Sequence, residues 1–203
     1  MFIGFIGSPR SGKTTIAAKV FAELKESGQP NVEFIAEHAR YYIAERLYEI
    51  MDGQKITLTD EDQLSIFETQ FEMEIVMESA AGKSGIVICD SIALNALLYM
   101  SEEARKNMYS SRRWKDVVFP WYQEQALFLA TPVNSMSSQD VLRIHNPAES
   151  KAIDDKIHKI LDSNGTDVPL RHLLDSNPPQ VLTGPIDFRV NKVIRRIYEQ
   201  VAK

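Results

Sequence analysis

A single cysteine, Cys89, in 203 residues leaves the chain no disulfide of its own and no thiolate cluster for a structural zinc. It lies in the apolar run Ile86-Val87-Ile88-Cys89, where a small core residue is a simpler reading than a nucleophile. His38, His145, His158 and His172 lack the paired spacing of a metal site. No apolar run approaches the ~20 residues of a membrane span. The apolar stretch after Met1 is short and has neither the basic start nor the small-residue cleavage site of a leader, so a cytoplasmic location is the expectation. Repeats, low-complexity tracts and the guanine-reading pattern N-K-x-D are all missing. The net charge of −5 argues against a general nucleic-acid coating role. With 44% hydrophobic and 25% charged residues, the composition is that of a globular protein, and one domain over 1–203 is expected.

What is present begins at residue 7. Gly7-Ser8-Pro9-Arg10-Ser11-Gly12-Lys13-Thr14 spells G-x-x-x-x-G-K-[ST]. Glycines at both ends let backbone N–H groups turn inward around phosphate oxygens. Lys13 then reaches the β/γ-phosphates as a point charge, Thr14 holds Mg²⁺, and the following helix adds the partial positive charge of its N-terminus. The context fits: Phe2-Ile3-Gly4-Phe5-Ile6 reads as a buried strand, and Ile16, Ala17, Val20, Phe21 and Leu24 recur at helical spacing up to Gly28. Gly7 through Thr15 are therefore the expected ATP-binding residues.

Apolar runs alternate with amphipathic segments along the chain, which predicts an α/β fold, a parallel five-stranded sheet with helices on both faces. Strands are expected at 2–6, 32–37, 85–90, 125–130 and 180–183. Helices are expected at 13–27, 38–51, 60–81, 92–118 and around 151–162, with a short one at Leu170 to Leu174. Thr59-Asp60-Glu61-Asp62 resembles a capped helix start, and Gly53 and Gly82 close their segments. The stretch 131–150, with Pro132, Asn134, Ser135, Ser137, Ser138 and Pro147, reads as a lid.

Four further sets of residues carry possible chemistry. Asp90 ends the third apolar run, the place of a carboxylate that orders Mg²⁺ or meets an acceptor; a helix-capping aspartate is the alternative. Glu37 follows the second run and could accept a proton during phosphoryl transfer, with Asp90 as rival for that role. Arg143, in the lid segment, could close over the transferring group. Arg105, Lys106, Arg112, Arg113 and Lys115 form a basic cluster interleaved with Met108, Tyr109 and Trp114. It could grip DNA, or it could be a solvated helix face whose rings join the core, diluted as it is by Glu102, Glu103 and Asp116.

Taken in order, these motifs resemble the small P-loop kinases of the NadR-type ribosylnicotinamide kinase domain. The likeness runs through Gly7 to Thr14, the E-x-x-R of Glu37 and Arg40, Gln70, Asp90, and Asp140 with Arg143. It implies a P-loop kinase fold, ATP and Mg²⁺ as cofactors, and transfer to a nucleoside- or nucleotide-type hydroxyl or phosphate acceptor, with Arg40 and Gln70 on the substrate side. The segment Gln180 to Pro185, including Gly184 and followed by Arg189, looks like the adenine-side loop of such kinases. The pattern departs from that family at Asp90-Ser91-Ile92, where it usually has Asp-Thr-Asp, and at Gln139 to Arg143, where it usually has Asp-Asp-Gly-x-Arg. Stand-alone relatives are similar to phage-encoded kinases of nucleotides or of hydroxymethylated pyrimidines in DNA, which the 105–115 cluster would suit. The rival classes are an ATPase or GTPase switch without an acceptor and a nucleic-acid-binding module.

Overall fold

The computed structural model describes residues 1–49, 57–131, 147–161 and 168–201. Five parallel strands, β1 (Phe2–Ile6), β2 (Val32–Ile35), β3 (Ile86–Cys89), β4 (Ala126–Ala130) and β5 (Gln180–Leu182), form one sheet in the order β2-β3-β1-β4-β5. The register pairs Gly4 with Cys89 on one side of β1 and with Leu127 on the other. β1 is thus central, and its side chains alternate between two cores. Ile3 and Phe5 join Ile16, Val20 and Leu24 of α1 (Lys13–Glu26) and Val190, Val193 and Ile197 of α9 (Ile186–Val201). Phe2 and Ile6 face the opposite core, with Phe67 and Phe71 of α3 (Asp60–Ala81), Leu97 of α4 (Leu94–Leu97) and Leu173 of α8 (Val168–Ser176).

Each expected strand is present within a residue or two of its expected bounds. The helix after β2 is α2 (His38–Glu49), and α3 begins where the capping pattern places it. Thr59 Oγ1 accepts the Asp62 N–H at 3.2 Å, and Asp62 Oδ2 accepts the Thr59 N–H at 2.8 Å. Two loop glycines, Gly28 (φ 77°) and Gly82 (φ 69°), follow helix ends as expected, while Gly53 lies outside the described residues. Asp62 also accepts from Tyr42 and from Arg46 (2.8 Å) of α2, which ties the two helices together and holds its carboxyl well below the usual range. Helix α7 is Pro147–Leu161.

Two expectations need correction. The single helix expected over 92–118 is three pieces, α4, α5 (Glu102–Ser110) and a π-helical turn (Trp114–Val118), and the last runs on into α6 (Phe119–Gln123). Ser101 caps α5 by accepting the Ala104 N–H at 3.2 Å. Pro120 has no N–H for the carbonyl four residues before it, and the preceding turn widens so that the Phe119 N–H bonds to the Trp114 carbonyl instead. The C-terminal helix α9 is not among the expected elements, although Val190, Val193 and Ile197 have the spacing of a buried helical stripe. Among the described residues, no helix is long and apolar enough to cross a membrane.

Candidate active site

β1 and β3 are neighbours, but the chain leaves them toward opposite faces, into α1 and α4. The crevice between their C-terminal ends is the switch point at which parallel sheets place their ligands. The loop 7–12 lies there. A Cβ on Gly7 (φ 155°) would stand 2.5 Å from the Ala130 carbonyl oxygen, so only glycine lets the loop leave β1 this close to β4. Gly12 (φ 85°) turns the chain into α1. Arg10 also adopts positive φ (68°) without being glycine, a strained conformation within the loop. Ser8 and Ser11 are buried, Pro9, Arg10 and Thr15 half-buried, and Thr14 is exposed at the mouth.

The Lys13 ammonium folds back over its own loop and donates to the carbonyls of Gly7 (2.8 Å) and Ser8 (3.0 Å). A phosphate group entering the loop would draw the cation off those oxygens. Asp90 stands beside it, 2% exposed. Its carboxyl is raised to about 6: burial is the largest cause and the charge of Glu37 adds to it, while Lys13, a hydrogen bond from Thr14 and Arg40 pull it down. Four of the residues singled out in the sequence therefore surround Asp90. Glu37, just beyond β2, forms an ion pair with Arg40 at 3.6 Å.

The donors suit a divalent cation. Asp90 Oδ1 is a buried oxygen with no hydrogen-bond partner among the described residues, next to the Thr14 hydroxyl. A buried carboxylate oxygen left open in this way is what an oxygen-seeking ion such as Mg²⁺ would take.

Gln70 is placed differently from the substrate position that the resemblance implies. Its side chain is buried, its Oε1 accepts the His38 N–H at 2.7 Å, and its Nε2 lies 3.4 Å from Cys89 Sγ. It fixes the first residue of α2 next to Glu37, and both ends of its amide are occupied. Three of the five basic residues in the 105–115 cluster are engaged within the chain, while Arg112 and Lys115 are exposed. Arg105 donates to the Met100 carbonyl (2.6 Å), Lys106 pairs with Glu102 (2.6 Å), and Arg113 pairs with Glu68 (2.6 Å). Tyr109 and Trp114 are buried edge to face at 4.7 Å, so neither ring lies open for stacking on a base. Arg143 and Asp140 lie outside the described residues, as does most of the expected lid. Gly184 (φ 86°) is exposed at the turn between β5 and α9.

Three more residues lie near the site: Asn95 and Glu74, which the sequence reading does not name, and Arg189, which it names only as following the adenine-side loop. Asn95, on α4, accepts the Gly7 N–H at 3.2 Å and donates to the Phe5 carbonyl (3.1 Å) and to Ser91 Oγ (2.8 Å). Glu74, fully buried on α3, accepts the Ala93 N–H (2.7 Å), the Tyr122 hydroxyl (2.6 Å) and the Cys89 thiol (3.7 Å). Burial pushes its carboxyl up to about 8. Arg189 is buried on the inner stripe of α9. Glu74 and Arg189 carry a readable signal, a polar residue at an apolar helical position. Asn95 carries none, because the sequence gives no hint of where α4 breaks off.

A family model described as an AAA domain matches residues 2–170 of the chain. Among solved structures, the chain is similar to Chaetomium thermophilum Kti12, determined in complex with ADP-AlF3, with 15% sequence identity, 100% of each chain covered and a TM-score of 0.41. No curated protein matches it.

Proposed function

The chain belongs to the AAA-domain family, and from that premise we propose that it is an ATP- and Mg²⁺-dependent phosphotransferase acting on a nucleoside- or nucleotide-type acceptor. One observation carries the reading. Beside the phosphate loop, Asp90 is crowded by Glu37, Lys13, Thr14 and Arg40, so two carboxylates and a guanidinium from adjacent strand ends gather next to the loop. Hydrolysis alone needs a positioned water; a second carboxylate paired with an arginine suits a bound acceptor that presents both a hydroxyl and further polar groups.

In this reading the loop amides and Lys13 hold the donor phosphates, with Lys13 moving off the Gly7 and Ser8 carbonyls onto them. Thr14 and Asp90 hold the cation. Mg²⁺ held there would neutralise charge on the donor phosphates. Glu37 accepts the proton of the attacking hydroxyl, and Arg40 orients both Glu37 and the acceptor. No covalent intermediate on the protein is required, since the chemistry is positioning and charge stabilisation.

The test is a labelled-ATP transfer screen offering nucleosides, nucleoside monophosphates, nicotinamide riboside, and duplex DNA with and without hydroxymethylated pyrimidines. Transfer of label to one acceptor supports the reading. Release of inorganic phosphate at the same rate with and without every acceptor would replace it with a hydrolytic switch.

A further inference from the structure

α9 presents an apolar stripe to the sheet, and Arg189 occupies one of its inner positions, 2% exposed. A guanidinium removed from water is expected to meet a carboxylate. Here its donors go to neutral oxygens on three separate segments: Nε to the Gly184 carbonyl (2.7 Å), Nη1 to the carbonyls of Ser11 (3.1 Å) and Thr131 (2.7 Å), and Nη2 to Thr131 Oγ1 (3.4 Å). Burial lowers its pKa. The cation is thus well hydrogen-bonded and electrically uncompensated among the described residues. It sits behind the phosphate loop, one hydrogen bond from Ser11, where a polyphosphate would bring several negative charges to the other side of the same loop.

We propose that Arg189 is a positioning residue for the nucleotide: it braces the phosphate loop against the end of β4 and the β5–α9 turn, and its buried charge favours a polyphosphate over an uncharged nucleoside. The proposal rests only on the nucleotide-binding part of the reading above and is independent of the acceptor. Two arguments support it. The five N–H donors of arginine meet oxygens of three segments at once, whereas a lysine keeps the charge that favours the anion and only part of these bonds, so that its loss falls on stability rather than on ADP affinity. A buried charge without a counter-ion is costly on its own, and an anion arriving at the loop relieves that cost, which adds to its affinity.

The experiment measures binding of ADP by calorimetry, and of adenosine by competition, to the full chain and to Arg189→Gln, Arg189→Met and Arg189→Lys, with thermal melts of each. The neutral Gln and Met variants are expected to lose ADP affinity by tenfold or more while adenosine changes less than twofold. Arg189→Lys is expected to keep ADP affinity within about threefold. A neutral variant that binds ADP like the wild type, or that loses ADP and adenosine in equal proportion, would overturn the proposal and mark Arg189 as a packing residue. Where neither neutral variant folds, the Lys variant decides: a loss of ADP affinity of tenfold or more, shared by adenosine, overturns the proposal, and retained ADP affinity with a lowered melting temperature supports it. Failure of the wild-type protein to bind ADP would instead strike at the nucleotide-binding reading itself.

Discussion

Asn95 reaches 88 positions back along the chain to accept the Gly7 N–H at 3.2 Å, while its own amide N–H groups bond Phe5 and Ser91. One side chain thereby fastens the start of the phosphate loop to the turn that carries Asp90. Asn95→Leu leaves those groups buried and unpaired, which costs about 1–3 kcal/mol for each group left unsatisfied. The expected result is a lowered urea midpoint together with weakened ADP binding. Asn95→Asp, which retains an acceptor for Gly7 but cannot donate to Phe5, should fall between the two. Urea unfolding and ADP calorimetry on both variants check the ordering.

Lys13 is half-buried and donates to the carbonyls of its own loop, so its ammonium contributes little to either core. Lys13→Ala should therefore fold with nearly unchanged thermal stability, whereas phosphoryl transfer falls by roughly 10²–10³ through loss of charge stabilisation. Circular dichroism melts and a labelled-ATP assay separate the two effects.

Glu37→Gln removes the proposed proton acceptor while preserving shape and the contact with Arg40. ADP affinity should stay within about twofold, and kcat should fall by roughly 10²–10⁴. An unchanged kcat would shift the proton-accepting role to Asp90.

Asp90, raised from the ordinary 3.8 to about 6, should impose an acid limb on cation binding. Below that value the carboxyl carries a proton that a cation must displace, so apparent Mg²⁺ affinity, measured with ADP present, should fall by about tenfold per pH unit. Above it the affinity should be level. Asp90→Asn should weaken binding throughout and abolish the limb.

Glu74 gives a different pH signature, in stability. Its carboxyl titrates at about 8 in the folded protein against an ordinary 4.5, so between those limits the folded protein holds a proton that the unfolded chain has released. The unfolded chain binds fewer protons than the folded one, and unfolding free energy falls as pH rises through that window, by at most about 1.4 kcal/mol per pH unit. Urea unfolding from pH 5 to 8 should show this decline, and Glu74→Gln should flatten it.

The sheet and the phosphate loop are legible in the sequence because their signals are local. An apolar run of strand length or a glycine-bounded octet reports its own conformation. The shared position of Glu37 and Asp90 is legible for the related reason that residues just after neighbouring parallel strands arrive at the same edge. The rest depends on distant encounters. Nothing around residue 95 says that Asn95 will meet Gly7, and the break that frees α4 from a longer helix follows from tertiary packing rather than from a strong local stop. Gln70 illustrates the opposite case: the pattern draws it toward the substrate, while the fold directs its amide to His38 and Cys89. The basic run 105–115 reads as a patch in one dimension, but the partners of Arg113 are Glu68 and Glu72 of α3, which no local window contains.

The strand order gives the molecule a division of labour. On one flank of β1, β2 and β3 deliver Glu37 and Asp90; on the other, β4 and β5 deliver Thr131 and Gly184 to Arg189. Substitutions that retune the first flank need not disturb the grip of the second, because β1 and its loop stand between them. Such a layout is evolvable: under the proposed transfer activity, a lineage could exchange one acceptor for another by altering the end of β2 while inheriting Asp90, the loop and the Arg189 brace intact.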